Sequence, residues 1–241
     1  MSTVQGGQGN IVTNGLILNL DAANPRSYAP PFNGTTWQNL VAVSSSLTGS
    51  LVNGVGYTGS NGGTLVFDGT NDYANINGSI LPIGAGDYCV EAWINRSSLP
   101  PNISKAIISG DGDNSFYFGI GRTYNGAING LRIGKSNIAD AENCIFNFVA
   151  NTWYYVAVTR ISSVVSFYVN TQQQPTSGSG TSGFSFPSSS LAKIGGSGPS
   201  ATPNPSEYFN GSISGVRTYN RSLSASEVLQ NFNATRARFG V

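Results

Sequence analysis

The chain has 241 residues, 39% of them apolar and only 10% charged, with a formal net charge of +1. That balance lacks the concentrated basic face that nucleic acid or an anionic membrane surface requires, so neither is expected as a partner. The sequence contains no histidine, which excludes Ser-His-Asp and Cys-His catalysis and any His-ligated metal site.

Residues 1–14 are rich in Gly, Gln, Asn and Thr, with Val4, Ile11 and Val12 among their few apolar members. Such a segment buries too little to order itself. It reads as an N-terminal arm that either packs on its own domain or lies on a neighbouring subunit, and in the second case Val4, Ile11 and Val12 are partner contacts. The first residues carry neither a basic region nor an apolar run, so no signal peptide is expected. No stretch approaches the ~20 apolar residues of a membrane span.

From Gly15 to the end the chain reads as one domain of short apolar runs broken by Gly, Asn, Ser and Pro. The runs are rich in Val, Ile, Phe, Tyr and Trp, which suit a pleated, half-buried surface. Strands are predicted at Leu16–Leu20, Thr64–Phe67, Tyr73–Ile76, Tyr88–Asn95, Ala106–Ser109 and Phe116–Ile120. More are predicted at Leu131–Gly134, Cys144–Val149, Trp153–Arg160, Val164–Asn170, Ala192–Ile194 and Ile213–Tyr219. Trp153–Arg160 and Val164–Asn170 flank a minimal link and form the clearest hairpin. Residues 171–190 and 195–206 read as surface loops.

One helix is predicted at about Ala225–Thr235. Ser224-Ala225-Ser226-Glu227 is a capping box, Leu223 and Val228 are placed as a hydrophobic staple, and Phe232 extends the apolar stripe. Arg236 and Arg238 follow, either as a solvated helix end or as further partner contacts. Cys89 and Cys144 are too few for a disulfide scaffold and are expected to be free, buried thiols.

Four segments carry a family resemblance. They are Leu65-Val66-Phe67-Asp68-Gly69-Thr70-Asn71-Asp72-Tyr73, Tyr88-Cys89-Val90-Glu91-Ala92-Trp93-Ile94, Trp153-Tyr154-Tyr155-Val156-Ala157-Val158-Thr159-Arg160, and Phe209-Asn210-Gly211-Ser212-Ile213-Ser214-Gly215-Val216-Arg217 with its continuation to Glu227. In order and spacing they resemble the laminin-G-like, concanavalin A-like lectin/glucanase superfamily. The resemblance implies an all-β, two-sheet antiparallel jelly-roll sandwich with one short C-terminal helix. The opening Leu16-Ile17-Leu18-Asn19-Leu20-Asp21-Ala22-Ala23-Asn24-Pro25 and the ending Asn231–Arg238 look like the versions found in bacteriophage virion proteins.

Glucanases of that superfamily place two or three carboxylates on one strand face, as glycoside hydrolysis requires. Here the matching strand offers Glu91 alone, so Glu91 is expected to pair at a rim and no enzyme activity is expected. No cofactor is implied. Calcium is the metal the resemblance makes most plausible, with Asp68, Asn71 and Asp72 in one turn and Asp111 and Asp113 in another, although such residues more often bond their own backbone. Trp37, Tyr57, Tyr124 and Tyr208 sit in or near loops as candidate sugar-stacking residues, or as ordinary packing.

The expected function is a non-enzymatic virion structural protein, a capsid decoration or cement protein forming a homo-oligomer, a trimer, on the major capsid protein or tail proteins. The alternative is a carbohydrate-binding receptor-recognition module of a tail fibre or cell surface.

Overall fold

The computed structural model describes residues 10–41, 47–82, 84–99, 103–112, 114–121, 130–135, 140–176, 185–198 and 204–241. Its first eight strands are β1 (Leu16–Asp21), β2 (Thr36–Trp37), β3 (Gly49–Val52), β4 (Gly56–Thr58), β5 (Thr64–Asp68), β6 (Tyr73–Asn77), β7 (Tyr88–Arg96) and β8 (Lys105–Gly110). The rest are β9 (Phe116–Gly121), β10 (Gly130–Lys135), β11 (Asp140–Asn143), β12 (Trp153–Ile161), β13 (Val164–Val169), β14 (Gln172–Gln174), β15 (Leu191–Ile194) and β16 (Asn210–Tyr219). A single α-helix among the described residues, α1 (Ala225–Thr235), follows them. None of these elements is a helix long and apolar enough to cross a membrane.

The strands form two antiparallel sheets packed face to face. The first runs β14-β13-β12-β7-β16-β5-β4, with β1 also on β16. The second runs β11-β10-β9-β8-β15-β6-β3-β2. β16 is the hub of the first sheet. One edge pairs with β7; the other is shared end to end, β5 taking Asn210–Ile213 and β1 taking Gly215–Tyr219. A register shift at Ser214 separates the two halves.

Strand alternation sorts side chains into two layers. On β7, Val90, Ala92 and Ile94 join the core between the sheets, while Cys89 and Trp93 point to the opposite face. Val156 and Val158 of β12 likewise face inward, and Tyr155 and Ala157 outward. That outer face is apolar because α1 covers it. Val228 and Phe232 bury against it, the Phe232 ring lying 5.6 Å from Trp93 and 5.7 Å from Tyr155. Burying side chains of this size is worth about 1.5–3 kcal/mol each.

The capping box is present as the sequence predicts: Ser224 Oγ accepts from the Glu227 N–H at 3.3 Å and Glu227 accepts from the Ser224 N–H at 2.9 Å. Leu223 and Val228 are buried in one cluster. Both cysteines are free and buried.

Two expectations are corrected. Cys144–Val149 is not a strand: the ladder is β11, just before it, and Cys144 keeps a single bridge to Thr176. Phe146 and Phe148 instead pack edge-on against Tyr154, with ring centroids 5.6 and 4.9 Å away. The predicted loop 171–190 begins with β14, which pairs with β13 through Asn170 and Thr171, both at positive φ. Its Gln-Gln-Gln sequence carries no apolar signal of a strand.

Candidate functional site

Val12 is buried beneath α1, and its N–H donates to Asn231 Oδ1 at 2.7 Å. Ile11 is half-buried, and the carbonyl of Asn10 before it accepts from Gln230 at 2.7 Å. Residues 10–12 thus lie against α1 of their own chain; Val4 lies outside the described residues. Arg236 is exposed at the helix end, reaching the Val241 carbonyl at 3.2 Å. Arg238 is not a solvated helix end. It grips both Asp21 carboxylate oxygens at 2.9 and 3.1 Å and Ser214 Oγ at 2.6 Å, pinning the tail to β1 and to the β16 register shift.

Glu91 pairs as expected, but not at a rim. It is 1% exposed under α1, where Oε1 accepts from Arg217 at 2.8 Å and Oε2 accepts from Tyr155 at 2.5 Å and Asn231 at 3.0 Å. Burial works against the charged form of Arg217, but the Glu91 carboxylate outweighs it and raises its pKa. Every oxygen of this carboxylate that a substrate would need is already occupied and covered.

Of the aromatic candidates, Trp37 is fully buried and Tyr208 nearly so, stacked on Tyr73 at 6.1 Å. Both are packing residues. Tyr57 is half-buried and stacks on Phe32 at 4.6 Å. Tyr124 lies outside the described residues.

The 68–72 turn does not fit calcium, which takes six to eight oxygens. Asp68 Oδ1 accepts from the Thr70 and Asn71 N–H groups at 2.7 and 3.2 Å, and Asp72 Oδ2 from the Asp68 N–H at 3.1 Å. Slight burial works against ionisation of Asp68, yet these backbone donors prevail and hold its carboxyl below the usual range. Asp111 binds Lys193 at 2.6 Å, and Asp113 lies outside the described residues. Among the described residues no group of three or more acidic or thiol side chains is arranged for a metal.

A cleft of about 320 Å³ opens at the end of the sandwich where β7 begins and β16 ends. Ile17, Leu81 and Pro82 supply apolar surface; Ser79, Asp87 and Asn220 supply a hydroxyl, a carboxylate and an amide. Its walls are fixed. Asn77 accepts from the Ser79 N–H at 2.9 Å, and a Cβ on Gly78 would lie 1.9 Å from the Ser189 carbonyl, so only glycine lets this turn pack there. Asp87 Oδ1 accepts from the Ser162 N–H at 2.8 Å, and Arg160 donates to the Gly86 carbonyl at 3.3 Å, tying the other wall to the β12–β13 hairpin. Ser79, Asp87 and Asn220 are exposed. Polar groups on held walls beside aliphatic surface suit a small polyhydroxylated ligand. Sequence reasoning missed all three, because they come from separate loops with no shared motif.

A family model for the concanavalin A-like lectin/glucanases superfamily matches residues 68–229. The chain belongs to this superfamily. No curated protein matches it in sequence. Among solved structures, domain 4 of AbnA, a GH43 extracellular arabinanase from Geobacillus stearothermophilus in complex with arabinotriose, superposes with a TM-score of 0.65 at 16% identity, over 90% of this chain and 97% of that one. Trypanosoma rangeli sialidase gives 0.63 at 20% identity, over 97% of this chain but only 35% of the sialidase. The botulinum neurotoxin serotype D binding domain gives 0.62 at 13%, over 89% of this chain and 50% of that one. At such identities these likenesses establish the concanavalin A-like fold and nothing further.

Proposed function

We propose that the chain is a non-catalytic carbohydrate-recognition module that binds glycans in the cleft formed by Ser79, Asp87 and Asn220, presented on a tail fibre or cell surface. The cleft carries this reading: it is preorganised, of a size for one or two sugar rings, and mixes hydrogen-bonding groups with aliphatic surface. The likeness to an arabinanase domain solved with arabinotriose supports it. The occupied, covered Glu91 supports the absence of hydrolysis. A shell-decoration role would draw on the N-terminal arm, and residues 10–12 are already committed to their own domain.

Titration calorimetry against a broad glycan panel tests the proposal. A ligand with Kd of about 1 mM or tighter, ~4 kcal/mol of binding, is expected. Asp87→Ala and Asn220→Ala should each weaken it about tenfold while leaving the circular dichroism spectrum intact. A panel without binders overturns the proposal.

A further inference from the structure

At the end of the sandwich opposite the cleft, a buried cation stands without a counterpart. Arg96, the last residue of β7, is 2% exposed, and its Nε, Nη1 and Nη2 have no hydrogen-bond partner among the described residues. Among the described residues Lys193 is paired with Asp111 and Arg217 with Glu91, and Arg160 donates to the Gly86 carbonyl and to Ser163. A buried charge is tolerated only when something pairs with it.

Lys105, the first residue of β8, lies at the same end and is 8% exposed. It pairs across the ladder with the core residue Ile120, so it projects into the layer between the sheets. Arg96 continues the inward alternation of Val90, Ala92 and Ile94. The two positive charges feel each other: burial first, then Arg96, lowers the Lys105 pKa, while Glu207 raises it in part. Burial also pulls the Arg96 guanidinium down to about 10. One carboxylate, Glu207, neighbours Lys105, and it accepts from the Ser197 hydroxyl.

We propose that this end of the sandwich holds an oxyanion, a carboxylate or sulfate group, between Arg96 and Lys105. A planar guanidinium with free N–H groups is the donor set that matches such an anion. The group is either a free ion or the carboxylate of an acidic sugar. The site is independent of the glycan cleft.

The test is thermal melting of the full chain at constant ionic strength, with chloride replaced stepwise by sulfate, acetate or glucuronate. The unmodified protein should rise along a saturating curve, by roughly 5 °C at a hundredfold excess over Kd. Arg96→Met and Lys105→Met should lose the saturating part, retaining only the general salt effect. A tighter response to glucuronate than to acetate identifies an acidic sugar; an equal response identifies the free ion. If the unmodified protein and the variants respond alike, the proposal fails. A crystal of the unmodified chain grown with selenate needs no variant: an anomalous peak within hydrogen-bonding reach of Arg96 supports the site, and an empty position overturns it.

Discussion

The Asn231 amide of α1 donates to the Glu91 carboxylate of β7 across 3.0 Å, joining residues 140 apart in sequence. The same amide donates to Tyr219 at 2.9 Å, and its carbonyl holds the Val12 N–H. Asn231→Leu leaves the Val12 N–H unpaired and takes one donor each from Glu91 and Tyr219 in a buried layer. A loss of about 3 kcal/mol is expected, read from the urea midpoint at unchanged slope.

Glu91→Gln removes the counter-charge of Arg217, which is 6% exposed. Leaving a buried guanidinium without its carboxylate should cost about 3–5 kcal/mol. Denaturant unfolding of the variant checks this, and a loss below about 1 kcal/mol would mean that water reaches Arg217.

Acid should loosen the start of α1 first. Hydrogen bonds from Arg221 hold the Glu227 carboxyl down to about 2, against its partial burial, from an ordinary value of 4.5. Its contribution is complete above the unfolded value and fades as pH falls from there through the folded one. Hydrogen-exchange protection at the Ser224 and Glu227 amides, taken relative to the intrinsic rate at each pH, should fall over that range, and Glu227→Gln should leave that protection uniformly low.

The two thiols should report different openings. Burial pushes Cys144 up to about 12 and Cys89 well above its ordinary value, so neither reacts in the folded protein near neutrality. Cys89 lies in the layer under α1 and Cys144 in the core between the sheets. In Asn231→Leu, thiol labelling should speed up at Cys89 and stay slow at Cys144.

The β12–β13 turn is Ser162-Ser163, with φ of 48° and 71°. Both values belong to a two-residue turn that favours Asn-Gly. Replacing Ser162 alone by Asn, which tolerates positive φ and leaves the Ser163 hydroxyl on Arg160, should stabilise the chain by about 0.5 kcal/mol, measured as a rise in melting temperature.

Much of the fold is legible where local chemistry decides it. The apolar runs place each predicted strand from Leu16 to Tyr219, Cys144–Val149 excepted, within three residues of the observed one. The capping box at Ser224 and Glu227 marks the helix start. The short strands β2, β3, β4, β11 and β14 escape, since Thr36–Trp37, Gly49–Val52, Gly56–Thr58, Asp140–Asn143 and Gln172–Gln174 carry little apolar pattern and are ordered by their neighbours. Glu91 shows why the site resists. Its partners Tyr155, Arg217 and Asn231 lie 64, 126 and 140 residues away, and no spacing rule links them. The cleft is the same case, assembled from loops that meet only once both sheets exist.

The position of β16 sets the order of assembly. It is the last strand in the chain, yet it bridges β7 to both β1 and β5. Until residues 210–219 are in place, the first strand has no neighbour and the first sheet remains two separate pieces. A ribosome-bound chain lacking them can build hairpins but cannot close the sandwich, so closure is a single late event governed by long-range pairing. A nonsense codon a few residues before β16 should leave no folded remnant, whereas disturbing the exposed tail after Phe239 should spare the sheet.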